Sequence, residues 1–227
     1  IFKLYIHHLR CILCIHSHIC LITSLNRIKG KLILLWSLLL SQSARTSDWA
    51  CVVSQVDSIV SSDNYISDLP PDLYMLIIAA EDHRFHFHGG VDIASIFRAT
   101  WRTAANRKPE GGSTIAMQLA RVLSGRYQRT IARKALEIVL ARKLTRHLPA
   151  KMLINVYLSI AYFGWDMHGL KSAQSRIGKT LYEMSTMDLA MLVARLKYPQ
   201  PRHPTTGSDK RIKMRASHIL KRRKALG

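Results

Sequence analysis

From Leu69 to the end of the chain, the apolar residues recur at the spacing of an α-helix. No run of alternating β-branched residues is long enough to form a sheet, so the sequence predicts a mainly α domain. The pattern places helices at about 71–80, 92–105, 113–123, 128–147, 149–160, 167–175, 185–196 and 208–225.

The charge balance indicates what kind of molecule this chain meets. Its 227 residues include 34 Lys and Arg against 14 Asp and Glu, which gives a formal net charge of +20. Such an excess predicts an anionic partner: a nucleic acid, a phospholipid surface or a phosphate-bearing substrate. The 4 cysteines all lie in the first quarter of the sequence, so the helical part has none, which suits an oxidising compartment.

The N-terminal segment, residues 1–44, is basic and apolar by turns. Its apolar run 32–40 follows Arg27, Lys29 and Lys31. A bilayer span needs about 20 apolar residues, so this segment predicts a weak membrane anchor or a signal-peptide-like core, with a buried core helix as the alternative. Positive charge before a span would hold the N-terminus in the cytoplasm and send the rest across the membrane.

Three regions follow this segment. Residues 45–68 are polar and rich in Ser and Asp, and they predict a connector with short helical or strand pieces. Residues 69–207 form the predicted main domain, and residues 208–227 a basic C-terminal helix or tail. The basic tail suits contact with nucleic acid, with membrane phosphates or with solvent alone.

A first candidate site follows the apolar run Leu73 to Ala80. Ser67, Asp68 and two prolines precede that run, which is a helix-start signal, so Glu81 is expected where a buried helix ends. An apolar wall disfavours the charged form of a carboxylate, and this can make Glu81 a general base or acid. The alternative is an ordinary ion pair of Glu81 and Asp82 with Arg84.

A second candidate site begins at Gly111-Gly112-Ser113-Thr114, a glycine turn that opens a helix. The unpaired N–H groups and the dipole at a helix start attract anions. In the next helix, Arg129, Arg133 and Glu137 are spaced by four and so share a face. Glu137 is therefore either a salt-bridged surface residue or an acid beside bound phosphates.

These stretches resemble, in the same order, the motifs of the peptidoglycan glycosyltransferases of glycosyltransferase family 51. The resemblance covers about residues 69–204. The probability that four motifs agree by chance in the same order is very small. The first motif corresponds to Glu81, Asp82, Phe85, His88 and Gly90; the second to Gly111, Gly112, Ser113, Thr114, Ile115, Gln118, Leu119 and Arg121; the third to Arg133, Lys134 and Glu137; and part of the fourth to Tyr157, Leu158, Tyr162, Phe163 and Gly164.

Some positions depart from the family pattern. Arg121 stands in place of a lysine, Ser159 in place of an asparagine, and Asn155 in place of a glutamate. The drift in the fourth motif leaves two hypotheses: an active enzyme, or a catalytically weakened or inactive relative that binds lipid II or envelope proteins at the membrane.

The resemblance implies a lysozyme-like helical glycosyltransferase domain at the bacterial inner membrane, on its periplasmic side. It would join lipid II to a glycan held on undecaprenyl diphosphate, forming a β-1,4 link with inversion. Glu81 would be the base. Glu137 would orient the sugar-phosphate region or help hold a divalent cation, Mg²⁺ or Mn²⁺. The substrate-binding residues would be Asp82, Phe85, His88, Arg98, Gly112, Ser113, Thr114, Gln118, Arg121, Arg129, Arg133 and Lys134.

Other expectations concern partners and geometry. Other cell-wall synthesis proteins are expected as partners. No nucleic-acid partner is expected, because the chain lacks interleaved aromatics and a recognition motif. No organic cofactor and no metal site made of protein ligands is expected, the histidines at 83, 86 and 88 included. By analogy with inverting hydrolases, the carboxyl groups of Glu81 and Glu137 should lie about 6.5–9.5 Å apart or more.

Overall fold

The computed structural model describes residues 43–106, 111–128 and 130–226. Over these residues the fold is mainly α, as the sequence predicts. The segment before residue 43 and position 129 lie outside the described residues, so the predicted membrane anchor and the role expected for Arg129 stay predictions. Within the described residues, no helix is both long and apolar enough to cross a bilayer.

Nine α-helices and one short hairpin are present in the described residues. In chain order they are α1 (Ser43–Val60), α2 (Pro71–Glu81), a 3₁₀ turn (Phe85–Phe87), α3 (Ile93–Asn106), α4 (Ile115–Ser124), α5 (Ile131–His147), α6 (Ala150–Ile160), β1 (Tyr162–Gly164), β2 (Met167–His168), α7 (Leu170–Ile177), α8 (Thr186–Ala194) and α9 (Thr206–Lys224).

Local sequence explains where the helices that carry the site begin and end. Pro71 opens α2, a position where its missing N–H costs nothing. Thr114 caps α4 by accepting a hydrogen bond from the Met117 N–H, and Gly125 ends the helix in the left-handed conformation at φ 61°. Thr130 caps α5 in the same way, through the Arg133 N–H.

Two predictions of local structure were wrong. In place of the short pieces predicted for the connector, one helix of 18 residues, α1, begins two residues before it and buries Val52 and Val56 against α4 and α6. Trp49, Ile59 and Val60 of the same helix also pack against the core, so α1 presents an apolar face to it. The helix predicted from 167 begins at Leu170, because Met167 and His168 pair with β1 in a short antiparallel hairpin.

The core is built around α4, which is almost fully enclosed. Ile115, Met117 and Leu119 have no exposed surface, and α4 contacts α1, α5 and α6. The C-terminal helix α9 is also part of the packed body: Ile212 and Ile219 are buried where α9 meets α2 and α8. The end of α2, the start of α4 and one face of α9 therefore meet in one region.

Gly90 is required by close packing of the loop after α2. Its φ is +86°, and an added Cβ would lie 2.3 Å from Thr145 Oγ1 and 2.6 Å from the Ala141 carbonyl oxygen. We expect Gly90→Ala to lower the free energy of unfolding by about 2–4 kcal/mol. The neighbouring Gly89 has open space around it, so Gly89→Ala is the matched control. Chemical denaturation of both variants measures the difference, and equal midpoints would contradict it.

Candidate active site

A cavity of about 400 Å³ opens where α2 ends and α4 begins. Many of the side chains predicted to form the site lie around this cavity, although they come from segments far apart in the chain. Among the predicted site residues, those lining it are Glu81, Asp82, Arg98, Gly112, Ser113, Thr114, Gln118 and Arg121. His83, Asp92, Ser95, Lys197, Arg215 and Arg222 also line it.

Glu81 is the last residue of α2, as predicted, and its carboxylate faces this cavity. Gln118 Nε2 donates to its Oε2 at 3.1 Å, and Arg215 Nη2 lies 3.5 Å from its Oε1. The Tyr157 hydroxyl donates to Gln118 Oε1 at 2.8 Å, which turns the amide nitrogen of Gln118 toward Glu81. Burial, and next the charge of Glu81, raise the pKa of Tyr157 far above its ordinary value. Tyr157 therefore remains a hydrogen-bond donor at any physiological pH.

The alternative ion pair with Arg84 does not involve Glu81. Arg84 Nε lies 3.6 Å from Asp92 Oδ2 instead. Asp92 accepts from the Ser95 N–H at 3.0 Å and from Ser95 Oγ at 2.6 Å, and Arg98 donates to the same hydroxyl. Burial raises the pKa of Asp92, but the Ser95 hydrogen bonds and the charge of Arg84 outweigh this, so the pKa lies below its ordinary value. Asp92 is thus a carboxylate at neutral pH and fixes the start of α3.

Asp82 and His88 tie the loop after α2 to the start of α4. Asp82 Oδ1 is 2.8 Å from His88 Nε2, and Asp82 Oδ2 accepts from the Ile115 N–H at 3.2 Å. Thr114 Oγ1 also donates to the Gly90 carbonyl at 2.6 Å. Phe85 packs against the core and meets the His88 ring edge-on. These contacts therefore position the loop, and of the residues that make them only Asp82 and Thr114 also line the cavity.

Glu137 is at the centre of a cluster of cations beside the cavity. Only 1% of it is exposed. Arg121 Nε donates to its Oε1 at 2.6 Å, Arg133 Nη1 contacts the same oxygen, and Lys134 Nζ lies 3.3 Å from its Oε2. Of the two alternatives left open for Glu137, the surface salt bridge is excluded, because this carboxylate is buried.

Two of these cations also contact a hydroxyl at the start of α4. Ser113 Oγ accepts from Lys134 Nζ at 2.9 Å and from Arg121 Nη2 at 3.5 Å. One carboxylate cannot neutralise all the cations around it, so net positive charge remains beside the start of α4, where the helix dipole adds to it. Gly112 allows this turn to lie against α3, because an added Cβ would meet the Ser95 carbonyl at 2.9 Å. We call Ser113, Arg121, Arg133 and Lys134 the anion cradle.

Lys134 makes the anion cradle sensitive to pH. Burial, and then the charges of Arg121 and Arg133, lower the pKa of Lys134 to about 8 although Glu137 is close. As the pH rises through this value Lys134 loses its proton, and an anionic ligand loses one attractive charge. We expect kcat/KM for an anionic substrate to fall above about pH 8 in the wild type.

In Lys134→Arg the guanidinium stays charged, so the fall should move at least about 1 pH unit higher. The measurement is a pH profile of both proteins. Superimposable profiles would show that Lys134 does not control anion binding.

The drifted positions of the fourth motif do not reach the cavity. Asn155 donates to the Ser67 carbonyl at 2.7 Å, and Ser159 Oγ donates to the Asn155 carbonyl at 2.9 Å. Both side chains are buried in this local network, and neither lines the cavity beside Glu81. The change from the family residues therefore alters how α6 is held, not what the cavity presents.

The side chains of this site are poorly suited to hold a divalent cation by themselves. Within residues 43–106, 111–128 and 130–226, no group of three or more His, Cys, Asp and Glu is placed to bind a metal ion. The carboxylate of Glu137 already forms ion pairs with Arg121, Arg133 and Lys134. The divalent cation, Mg²⁺ or Mn²⁺, that the resemblance implies therefore stays a prediction.

Sequence reasoning missed several residues that line the cavity or orient Glu81. In the sequence Tyr157 is only part of the fourth motif, and no pattern marks Lys197, Arg215 or Arg222 as site residues. The spacing of Ile212, Ala216 and Ile219 could have indicated that α9 packs on the domain. It could not have indicated which carboxylate Arg215 reaches, because residues 81 and 215 meet only in the folded chain.

Comparison with known proteins shows the family of this chain. The family model described as Transglycosylase matches residues 52–224, which extends beyond 69–207 at both ends. Penicillin-binding protein 1F of Bacillus subtilis is 34% identical over 147 residues, which are 64% of this chain and 21% of that protein. Penicillin-binding protein 1A of Escherichia coli is 32% identical over 152 residues, 66% of this chain and 18% of that protein.

A third relative is closer in length. A Cupriavidus necator protein whose name contains the word transglycosylase is 29% identical over 163 residues, 71% of this chain and 70% of that protein. The chain spans about a fifth of the length of the two penicillin-binding proteins. Because the family model matches more than half of the sequence, the chain belongs to the transglycosylase family, glycosyltransferase family 51.

Proposed function

We propose that this protein is a peptidoglycan glycosyltransferase that polymerises lipid II into β-1,4-linked glycan strands and releases undecaprenyl diphosphate. The observation that carries the proposal is the placement of Glu81 and of Ser113 and Arg121 of the anion cradle along one cavity. A carboxylate that can accept a proton and a set of cations that can receive a diphosphate are the two requirements of this reaction.

In the proposed reaction, Glu81 accepts the proton of the 4-hydroxyl of the acceptor, lipid II. The hydroxyl oxygen forms a bond to the anomeric carbon of the donor glycan, and the bond from that carbon to the diphosphate oxygen breaks. The diphosphate leaves with the electron pair, and the cations of the anion cradle stabilise its charge. Attack opposite the leaving group inverts the anomeric centre and gives the β-link.

The lipid part of such a donor has an apolar surface to follow. A second cavity, of about 510 Å³, adjoins the first at Gly111, Gly112 and Ser113. Its other walls are Ile96, Ala99, Thr100 and Thr103 of α3, with Lys134 of the anion cradle. A diphosphate held by Lys134 would therefore have its polyprenyl chain directed along α3.

The outer face of α3 supports contact with the membrane. Ile93, Phe97 and Trp101 are spaced by four and are each more than two thirds exposed, and Phe87, in the 3₁₀ turn that precedes α3 in the chain, is 80% exposed. An exposed apolar patch of this kind marks an interaction surface. Together with the charge of +20, it suits an anionic bilayer, on the periplasmic side of the bacterial inner membrane. Other cell-wall synthesis proteins as partners stay a prediction.

The alternative, an inactive relative that only binds lipid II or envelope proteins, rested on drift in the fourth motif. Because Asn155 and Ser159 lie in a network of their own, that drift gives no reason to expect loss of chemistry. Glu81 and Glu137 are both present, so the structure favours the active enzyme.

The test is incubation of the full chain with fluorescent lipid II in detergent, followed by gel separation and lysozyme digestion. We expect a polymer that lysozyme degrades. If the folded protein binds lipid II but forms no polymer, it is the inactive binding module and not the enzyme. Parallel reactions with MgCl₂ and with EDTA test the predicted dependence on a divalent cation.

A further inference from the structure

We infer that α9 belongs to the catalytic apparatus: Arg215 is a positioning residue that holds the Glu81 carboxylate, and Arg222 supports it. The inference rests on the proposed function, in which Glu81 is the base. Nothing in the four motifs points to α9, which the sequence presents only as a basic tail.

The first support is a bridging contact made by one nitrogen. Arg215 Nη2 donates to the Ala80 carbonyl at 2.8 Å and lies 3.5 Å from Glu81 Oε1. The same nitrogen of Arg215 therefore contacts both the backbone of Ala80 and the side chain of Glu81. Such a contact restricts both the end of α2 and the side-chain torsions of Glu81.

The second support is the place of Ala80 in α2. The last carbonyls of a helix have no partner within the helix, and cations are favoured there. Arg222 Nη1 approaches the same carbonyl at 3.4 Å. Two arginines of α9 thus meet at the last turn of α2, although their charges repel each other, and the carboxylate of Glu81 offsets that repulsion.

The third support is burial. The side chains of Arg215 and Glu81 are 13% and 15% exposed. Arg215 Nε is buried and has no hydrogen-bond partner in the described part of the chain. A buried N–H group without a hydrogen bond lowers stability, so a stabilising role alone does not explain an arginine at this position. Ala216, next to it, has no exposed surface, so the backbone that carries Arg215 is firmly packed.

The fourth support is that Glu81 is held from two sides. Gln118 of α4 contacts Oε2, and Arg215 of α9 contacts Oε1. Contacts on both oxygens fix the plane of the carboxylate, so its remaining lone pairs face the cavity in one orientation. A base held in this way is ready for the acceptor hydroxyl before that hydroxyl arrives.

The experiment compares four variants of the full chain: Arg215→Gln, Arg215→Lys, Arg222→Met and Arg211→Gln. Arg211 is an exposed arginine one turn earlier on α9 and serves as the matched control. We expect Arg215→Gln to lower kcat for polymerisation by about 10²-fold while KM for lipid II changes by less than about 2-fold. Arg215→Lys should recover part of this loss, Arg222→Met should lose less, and Arg211→Gln should match the wild type.

A second measurement detects the contact between Arg215 and Glu81 and does not depend on enzyme activity. The chain has four glutamates, so the carboxyl ¹³C signals of glutamate are few, and Glu81→Gln identifies the signal of Glu81. Arg215→Gln should shift this signal, and Arg211→Gln should leave it in place. If the wild type forms no polymer, this shift still supports the contact, and the proposed function fails separately.

Several results would overturn the inference. An unchanged kcat in folded Arg215→Gln would reduce Arg215 to a structural residue. A rise in KM at constant kcat would mean that Arg215 binds the substrate directly. An unmoved Glu81 signal in Arg215→Gln would show that the two groups are not coupled.

Discussion

Replacing Glu81 by glutamine should lower kcat for lipid II polymerisation by about 10³-fold, within the range that general-base catalysis contributes. Glutamine has nearly the same shape, and its carbonyl oxygen can still accept the hydrogen bond from Gln118. It cannot take the proton of the acceptor hydroxyl. The loss should therefore appear in the chemical step, and it is measured as the initial rate of lysozyme-sensitive polymer formation from fluorescent lipid II.

The controls for this prediction separate chemistry from binding and folding. Glu81→Gln should remain folded and bind lipid II as the wild type does, although loss of the charge beside Arg215 lowers its melting temperature somewhat. Glu183→Gln changes an exposed glutamate of the same chain that accepts only local bonds from Thr180, and its rate should be unchanged. A Glu81→Gln protein that keeps most of the wild-type rate would remove Glu81 from the role of base.

Replacing Glu137 by glutamine should damage both stability and activity, because Glu137 is the carboxylate that the cradle cations share. Arg121, Arg133 and Lys134 would then face each other without it. Loss of one partner from a buried ion pair typically costs 3–5 kcal/mol, and the partial exposure of Arg121 and Lys134 reduces this to about 2–4 kcal/mol. Calorimetry should show a melting temperature lower by about 5–15 °C.

An added anion tests whether Glu137→Gln acts through the lost negative charge or through simple loss of packing. Inorganic diphosphate should raise the melting temperature of Glu137→Gln more than that of the wild type, because it replaces the missing negative charge and binds the folded state. A variant in which Ala141 is replaced by glycine, one turn away in the same helix, loses a buried methyl group and some helix propensity without a change in charge, and should gain no more than the wild type. Equal effects of diphosphate on all three proteins would contradict the prediction.

The helices of this domain could be predicted from the sequence because their signals are local. Apolar spacing together with caps such as Thr114 and breakers such as Pro71 fixes a helix without reference to the rest of the chain. Where the local signal was weak, prediction failed: the apolar residues of α1 are interspersed with Ser, Gln and Asp, and two short strands at 162–168 depend on pairing with each other. Tertiary contacts stabilise both elements.

The candidate site divides in the same way. The sequence alone determined the chemical types present: a carboxylate at the end of an apolar helix, a glycine turn that opens a helix, and cations spaced along the next one. Only the tertiary structure decided how they combine. It placed Arg121 of α4 against Glu137 of α5, and it carried Arg215 across 134 positions of sequence to Glu81. The physical reason is that periodicity encodes which face of a helix is buried, whereas the partner of a buried charge is set by how separate helices pack.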